Sequence, residues 1–200
     1  MFKSLTAGMW IIQKCQREWN DYSFDKIVTL AKSTESTELY IDTDAPDFFN
    51  PVSMTEAISA SIKLRYGVLI DSNDVGTIAR ICFESLALKY RYVIENLEKA
   101  ADKGQAANKI YILGGGSLNH LLNQFIANVC NKKVFSGIDE ASAIGNLLCQ
   151  MYGNNELKSK SEMKDVIKRS FSTIQYKPQD ESTWEQKYSS YLCSFGFKSM

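Results

Sequence analysis

A short apolar run that stops at three consecutive glycines constrains the fold of this chain more than any other feature. The segment reads Ile110-Tyr111-Ile112-Leu113-Gly114-Gly115-Gly116-Ser117-Leu118-Asn119. Its apolar half is rich in residues that favour β-strands, and it predicts a buried strand covered on both faces. The glycines allow positive φ angles and let another molecule approach without a Cβ in the way. We therefore predict a strand that turns directly into a helix.

The turn after this strand has the chemistry of a ligand pocket. Ser117 is the predicted N-cap of the following helix, so the amides of its first turn would point toward an anion or a polar ring. Such a pocket suits a nucleotide. The alternative is an ordinary strand-to-helix connection, because the segment is neither G-x-G-x-x-G nor a P-loop with its Lys and Ser/Thr.

The composition is typical of a single globular domain in which positive and negative charges balance. The chain has 200 residues, and 23 Lys and Arg balance 23 Asp and Glu. No basic surface is therefore expected to attract nucleic acid or anionic lipid, and no stretch is long and apolar enough to span a bilayer. Five cysteines include no C-x-x-C pair and fall mostly in helical patterns, which favours a cytoplasmic location.

Helical periodicity dominates the chain and predicts about seven helices. Seven of them cover residues 4–19, a short segment capped by Ser23, Ser53 to about Gly67, Asn73 or Asp74 to about Asp102 with Gly104 as terminator, Ser117 to about Cys130, a segment through Met151 and a weaker one to Arg169. The tail around Trp184 and Tyr191 is a candidate for a further, terminal helix. Residues 110–113 and 133–138 are the two convincing strands. A parallel pair is too small for so many helices, so strands are either hidden here or supplied from outside this chain.

Several ordered blocks of the sequence carry a family resemblance. They are Gly8-Met9-Trp10-x-x-Gln13, Tyr40-Ile41-Asp42-x-Asp44-x-Pro46-x-Phe48, the run from Arg80 to Arg91, the glycine turn with Leu121-Leu122-Asn123-Gln124, and the run from Glu140 to Asn146. In this order and spacing they resemble the carboxyl-terminal part of rhamnulokinases, which are members of the FGGY carbohydrate kinase family. The match fades after about residue 175. It predicts an ATP-binding kinase domain, truncated at its start, over residues 1–175 and a divergent tail over residues 176–200.

The resemblance implies an α/β fold. This would be part of an actin-like, ribonuclease H-like ATPase domain that is rich in helices, with its last two parallel strands present and its opening antiparallel strands missing. Complete FGGY kinases have two such domains, and the first holds most of the sugar contacts. The N-terminal kinase half is therefore an implied partner. Without the opening antiparallel strands of its own domain, the first parallel strand would leave an unpaired edge, helices would expose apolar faces, and the chain would be prone to associate.

The resemblance also assigns roles to the glycine turn. It implies that Gly114, Gly115 and Gly116 pack against the adenosine part of ATP, beside Ser117, and that Asn119 hydrogen-bonds the adenine. An Asn amide can donate to and accept from a purine edge together. Two structural alternatives stay open: Gly116 as a turn residue with positive φ, and Asn119 as a polar residue of the first helical turn.

Neither a catalytic residue nor a metal ligand is predicted in this chain. The family's catalytic aspartate lies near the start of the domain and has no counterpart here. Asp139 follows the second strand and is predicted to stabilise a helix start. The acidic run that contains Asp42, Asp44 and Asp47 is interpreted as a solvated turn, because one such run lacks the oxygen ligands of a metal loop.

The resemblance implies a sugar kinase as the intact enzyme. Such an enzyme would use ATP and Mg²⁺ to phosphorylate L-rhamnulose to L-rhamnulose 1-phosphate in rhamnose metabolism, and this chain alone would be inactive. A fuculose or xylulose kinase is the alternative within the family, because the main sugar contacts lie in the other half. A non-catalytic module that binds nucleotide or another protein is the alternative from a different class.

Overall fold

The computed structural model describes residues 6–101 and 107–197 as a helical assembly around a small sheet. The helices are α1 (Trp10–Glu18), α2 (Phe24–Ser33), α3 (Met54–Tyr66), α4 (Val75–Ala100), α5 (His120–Cys130), α6 (Ala141–Gly153), α7 (Lys160–Ser170) and α8 (Glu181–Phe195), and the strands are β1 (Lys109–Leu113), β2 (Lys133–Ile138) and β3 (Ile174–Tyr176). Short 3₁₀ turns span Pro46–Phe48 and Gly115–Leu118. Across these described ranges, no helix combines the length and apolarity needed to cross a membrane.

The sheet has the order β1-β2-β3, so β1 forms one of its edges. β1 and β2 are parallel, with Tyr111 opposite Phe135, which confirms the predicted parallel pair. β3 runs antiparallel to β2, with Tyr176 opposite Val134. The sequence analysis did not identify β3, because three residues are too few to show the alternation that marks a strand.

β1 is not covered on both faces, and that part of the prediction is wrong. Its residues alternate between exposed and half-buried: Tyr111 is 58% and Leu113 is 56% exposed, whereas Ile110 and Ile112 pack against the core. The alternation shows that the core covers one face of β1 only, while α5 contacts the sheet at β2 and β3. On the opposite face Tyr111 stacks on Phe135, with 5.4 Å between ring centroids.

The core is organised around α4, which contacts α1, α2, α3, α5 and α8. Every α4 residue from Ile81 to Lys89 is buried. Asp74 caps the helix as predicted, since its carboxylate accepts the N–H of Thr77 at 3.1 Å. The predicted end at Asp102 and Gly104 lies outside the described residues, and α4 as described ends at Ala100.

Most predicted helix boundaries agree with the structure. Ser23 and Ser53 accept the N–H groups of Lys26 and Glu56, and α3 ends at Gly67 with φ +71°, so these three predictions are confirmed. The helix predicted over residues 4–19 begins later, at Trp10. Residues 4 and 5 lie outside the described ranges.

The end of α1 is fastened to the start of α3. The Glu18 carboxylate accepts the N–H groups of Met54 at 2.6 Å and Thr55 at 3.1 Å. Burial favours a raised pKa for Glu18, but these donors outweigh it and hold the pKa below its ordinary value. The ionised carboxylate therefore fixes the orientation of α1.

Helix α8 is attached to α4 through a buried ionic cluster. Glu84, which is 2% exposed, accepts hydrogen bonds from Arg80 at 2.6 Å, Lys187 at 2.9 Å and Ser36 at 2.8 Å. The aromatic side chains of α8, Trp184, Tyr188 and Tyr191, are buried in the core. The C-terminal segment thus packs into the core, while the boundary at residue 175 stays a prediction.

The chain leaves β1 through a backbone conformation that requires glycine. Gly114 has φ +79° and ψ −168°, and its N–H donates to the Ile138 carbonyl at 3.1 Å. That bond ties the end of β1 to the end of β2. L-residues with a Cβ are strongly disfavoured in this region of φ and ψ.

Glu84→Gln is expected to lower the free energy of unfolding by about 3 kcal/mol, because it leaves the buried Lys187 ammonium without its anionic partner. Urea denaturation measures the change. Glu185→Gln is the matched control: Glu185 is 56% exposed and pairs with Arg91, so its loss should cost about 0–1 kcal/mol. Equal, small losses for both variants would contradict the structural role of the buried cluster.

Gly114→Ala is expected to lower the free energy of unfolding by about 1–3 kcal/mol, because alanine must adopt a conformation that only glycine tolerates. Thermal or urea denaturation gives the value. Gly115→Ala serves as the control, since Gly115 has no positive φ and a Cβ there would meet nothing within 4 Å. A Gly114→Ala protein as stable as the control would refute the strain argument.

Candidate functional site

The glycine turn lies at the carboxyl end of β1, as predicted, and its three glycines are not equivalent. Gly114 alone among them has a positive φ, so the alternative that Gly116 is a positive-φ turn residue is wrong. A Cβ added at Gly115 or Gly116 would meet nothing within 4 Å. Backbone geometry therefore explains Gly114, whereas Gly115 and Gly116 leave open space beside the turn.

Asn119, and not Ser117, is the N-cap of α5. The Asn119 Oδ1 atom accepts the N–H of Leu122 at 3.0 Å. The prediction for Ser117 fails because the 3₁₀ turn inserts an extra turn of backbone, in which the Ser117 N–H donates to the Gly114 carbonyl at 2.9 Å. The residue is 4% exposed, and among the described residues its Nδ2 atom donates only to the Met9 sulfur, at 3.9 Å. Since a thioether is a weak acceptor and the Asn119 oxygen already accepts a hydrogen bond, the amino group is the part of Asn119 left for a ligand.

Ser117 faces away from the open side of the turn. The residue is 1% exposed, and its carbonyl accepts the Nδ2–H of Asn123 at 2.9 Å. Its Oγ atom is buried without a hydrogen-bond partner in the described structure. Ser117 thus supports the turn from behind, while Gly115, Gly116 and Asn119 line a cavity.

This cavity has a volume of about 1020 Å³ and lies between the glycine turn, β1 and four helices. The size is at the upper end of the range for small-molecule sites. The principal wall and floor residues are Trp10 and Gln13 on α1, Phe24 and Asp25 on α2, Tyr90, Val93 and Ile94 on α4, Ile112 on β1, and Leu122 and Ile126 on α5. A mostly apolar lining with a few polar groups is typical of a binding pocket.

Sequence reasoning missed the helical walls of this cavity. The block Gly8-Met9-Trp10-x-x-Gln13 carries the family resemblance without an assigned role, and so does Tyr90, which lies within the run from Arg80 to Arg91. Both lie on the cavity. Helical periodicity locates a helix and its apolar face, but it cannot show which other element that face meets.

The electrostatics of the cavity favour an uncharged ligand group. Asp25 is the charged side chain among the described lining residues, and no Lys, Arg or His joins it. Burial, with the nearby Asp44 charge, raises the pKa of Tyr90 to about 12, so its hydroxyl remains protonated at neutral pH. The cavity offers hydrogen-bond donors and apolar surface, and it does not offer cationic side chains for phosphates.

The interpretation of the acidic run as a solvated turn agrees with the exposed Asp47 but is wrong for Asp42 and Asp44, which pair with a buried lysine. Lys89 binds Asp42 at 2.7 Å and Asp44 at 3.2 Å, and Asp44 also accepts the Ala7 N–H at 2.6 Å. Glu140 is the N-cap residue of α6, and the carboxylate of the preceding residue, Asp139, accepts the Glu140 N–H. Within the described ranges, no group of three or more His, Cys, Asp or Glu side chains is arranged to hold a metal ion.

Sequence relatives connect this geometry to one enzyme family. The model of the FGGY family of carbohydrate kinases, C-terminal domain, matches residues 2–153. Rhamnulokinases of Bacteroides thetaiotaomicron and Enterococcus faecalis are 36% and 34% identical to the chain over 182 and 187 residues. These alignments cover 91% and 92% of this chain but 37% of each relative, so the chain spans well under half of their length.

Solved structures show the same fold. A xylulose kinase from Lactobacillus acidophilus superimposes with a TM-score of 0.63 at 13% identity, over 94% of this chain and 37% of that one. The xylulose kinase from Rhodospirillum rubrum gives 0.61 at 14% identity, over 95% and 38%. The predicted helix-rich, actin-like α/β fold class is confirmed. Together with the family model, which matches more than half of the chain, these findings show that the protein belongs to the FGGY family of carbohydrate kinases, through their C-terminal domain.

Proposed function

We propose that this chain is the nucleotide-binding part of an FGGY sugar kinase and holds the adenosine end of ATP or ADP in the cavity beside the glycine turn. The observation that carries the proposal is the shared wall of Gly115, Gly116 and Asn119 at the carboxyl end of β1. Ligands of open α/β sheets bind outside the carboxyl ends of strands. The position therefore agrees with the family as well as with the chemistry of the lining.

The lining suits a purine nucleoside. Gly115 and Gly116 leave room for a flat ring against the backbone, and the Asn119 amino group can donate to a ring nitrogen. Trp10 and Leu122 supply apolar surface on the other sides. Because the lining carries no cationic side chain among the described residues, the phosphates would extend out of this cavity. Gly114 and Ser117 then shape the turn and do not touch the base.

The proposed reaction is transfer of the γ-phosphoryl group of ATP to a hydroxyl of a ketose. L-rhamnulose is the proposed substrate and L-rhamnulose 1-phosphate the product, in rhamnose metabolism, and the support is the name of the matched relatives, rhamnulokinase. Xylulose or fuculose is the alternative substrate within the family. The chain by itself is proposed to be inactive, because Asp25 is the one carboxylate among the described lining residues and no cationic side chain accompanies it to stabilise a transferred phosphoryl group.

Mg²⁺ is the cofactor expected for phosphoryl transfer, but the cavity residues do not form a site for it. Mg²⁺ is held by one or two carboxylates together with phosphates and water in octahedral geometry. Asp25 is the one carboxylate among the described lining residues, and it lies in the first turn of α2 beside Phe24. The described lining of the cavity therefore does not hold the ion by itself.

A cytoplasmic location is also proposed. All five cysteines are unpaired, and Cys15, Cys82 and Cys130 are buried. Burial raises the pKa of the Cys130 thiol to about 12, so it behaves as a small apolar side chain and not as a reactive thiolate. Unpaired thiols of this kind favour a reducing compartment.

The proposed partner is an N-terminal kinase part of the kind that the relatives possess. Those relatives contain much sequence outside the matched region, since the alignment covers 37% of their length. β1 forms an edge of the described sheet, and its outward side chains Tyr111 and Leu113 are more than half exposed. An edge strand with exposed apolar side chains favours docking of further polypeptide.

Titration of the chain with ADP in a calorimeter tests the nucleotide site. We expect saturable binding, and Asn119→Ser should weaken it about 3–10-fold, as for the loss of one hydrogen bond. Serine caps a helix about as well as asparagine, so the variant isolates the amino group from the capping oxygen. Absence of binding to the folded chain would overturn the proposed site.

Gly116→Ala in the same titration tests the open space beside the turn. A methyl group there would project into the ligand volume and is expected to weaken ADP binding about tenfold or more without loss of stability. Gly145→Ala on α6 is the control, because a Cβ there also meets nothing within 4 Å and the residue is not on the cavity. Equal ADP affinity for the two variants would exclude contact between Gly116 and the nucleotide.

Mixing the chain with the separately produced N-terminal part of the Bacteroides thetaiotaomicron rhamnulokinase tests the proposed partnership. We expect ATP-dependent phosphorylation of L-rhamnulose by the mixture and none by either part. Leu113→Lys should reduce the activity at least tenfold because a charge would have to be desolvated at the docking edge, whereas Leu64→Lys, at a position 88% exposed on α3, should not. Because Leu113 also lines the cavity, the ADP affinity of the variant is measured beside its activity, and the activity should fall further than the affinity. ADP binding without turnover in any mixture would favour a non-catalytic module instead.

A further inference from the structure

We propose that Tyr176 on β3 is a positioning residue for the nucleotide, because its hydroxyl closes a chain of hydrogen bonds that holds the backbone on both sides of Asn119. The inference rests on the proposed nucleotide site and extends it to a strand that lies outside residues 2–153, the range matched by the family model. The chain of bonds runs from Ser117 through Asn123, Ser136 and Tyr176 to His120.

The first branch holds the backbone before Asn119. Asn123 is fully buried on α5, and its Nδ2 atom donates to the Ser117 carbonyl at 2.9 Å and to the Ser136 Oγ at 3.2 Å. Ser117 belongs to the 3₁₀ turn, and Ser136 lies on β2. The amide of one side chain therefore links the glycine turn to the middle of the sheet.

The second branch holds the backbone after Asn119. The Tyr176 hydroxyl lies 2.6 Å from Nδ1 of His120, the residue that directly follows Asn119. The Ser136 hydroxyl donates to the same Tyr176 oxygen at 3.5 Å, the longest contact of the chain. With that donor direction, the hydroxyl hydrogen of Tyr176 is left for His120. Tyr176 thus joins both branches and fastens the segment 117–120 to β2 and β3.

The turn needs such support because its open side provides little. Gly115 and Gly116 have no side chains, and added Cβ atoms there would meet no neighbour within 4 Å. The network also leaves Asn123 Oδ1 and Ser117 Oγ buried without partners in the described structure. Buried unpaired polar atoms are costly compared with apolar packing. Because of this cost, we interpret the network as one that fixes the geometry of the turn and does not serve stability alone.

Tyr176→Phe is the test variant, because it removes the hydroxyl and keeps the ring. Tyr188→Phe is the matched control: Tyr188 is also buried, and its hydroxyl donates to Glu95 at 2.8 Å on α4, away from the glycine turn. Tyr176→Phe removes the short hydrogen bond with His120 and the long one from Ser136, and Tyr188→Phe removes the one to Glu95. Amide hydrogen exchange of the peptide over residues 114–120, followed by mass spectrometry, and calorimetric titration with ADP are measured on the full chain below its unfolding temperature.

In Tyr176→Phe we expect several-fold faster exchange of the turn amides and about 3–10-fold weaker ADP binding, the range for one hydrogen bond. Tyr188→Phe should change neither, whatever it does to global stability. Unchanged exchange in Tyr176→Phe overturns the proposed support of the turn, and faster exchange with unchanged ADP affinity overturns its role in binding. If the unmodified chain binds no ADP, the proposed function and the nucleotide role fail together, and exchange alone still decides whether Tyr176 supports the turn.

Discussion

Two charged side chains in the buried middle of α4 determine how the surrounding elements are arranged. Glu84 and Lys89 are 2% and 6% exposed, and a buried charge must be paired and hydrogen-bonded. The partner of Glu84 from α8 is Lys187, and the partners of Lys89 from the acidic loop are Asp42 and Asp44. The C-terminal helix and the loop before α3 are therefore held against the same helix.

These ion pairs are connected to the cavity through α1. Asp44, bound to Lys89, also accepts the Ala7 N–H just before α1, and Glu18 at the other end of α1 fastens it to α3. The helix held at both ends carries Trp10 and Gln13, which face the glycine turn across the cavity. The buried ion pairs of α4 thus help to hold α1, which forms one wall of the cavity. Hydrogen bonds fix both ends of α1 in addition to apolar packing.

The residues of the cavity also fit the proposal that this domain holds only the nucleoside part of ATP. The lining presents apolar surface, backbone and an amide, which suit a nucleoside, and it presents no cation to a phosphate among the described residues. A complete phosphoryl-transfer site needs charge stabilisation and a positioned hydroxyl in addition. The alignment with rhamnulokinases, which covers 37% of their length, is consistent with that division of labour.

Local chemistry decided a large part of this structure, and the sequence alone determined that part. Ser23, Ser53 and Asp74 begin helices and Gly67 ends one, because a cap or a positive φ depends on a few adjacent residues. The glycine turn at the end of a strand and the ordered blocks of the family could be recognised in the sequence for the same reason. Such signals need no knowledge of distant contacts.

Only the tertiary structure decided which surfaces meet. It moved the helix start from Ser117 to His120, because hydrogen bonds of the 3₁₀ turn compete with the serine cap. It exposed Tyr111, since burial of a strand depends on what packs against each face of its sheet. It brought Tyr90 and Trp10 to one cavity and paired Tyr176 with His120 across 56 positions of sequence. Residue patterns record the period of each element, whereas the choice of neighbours comes from burial and charge pairing over the whole chain.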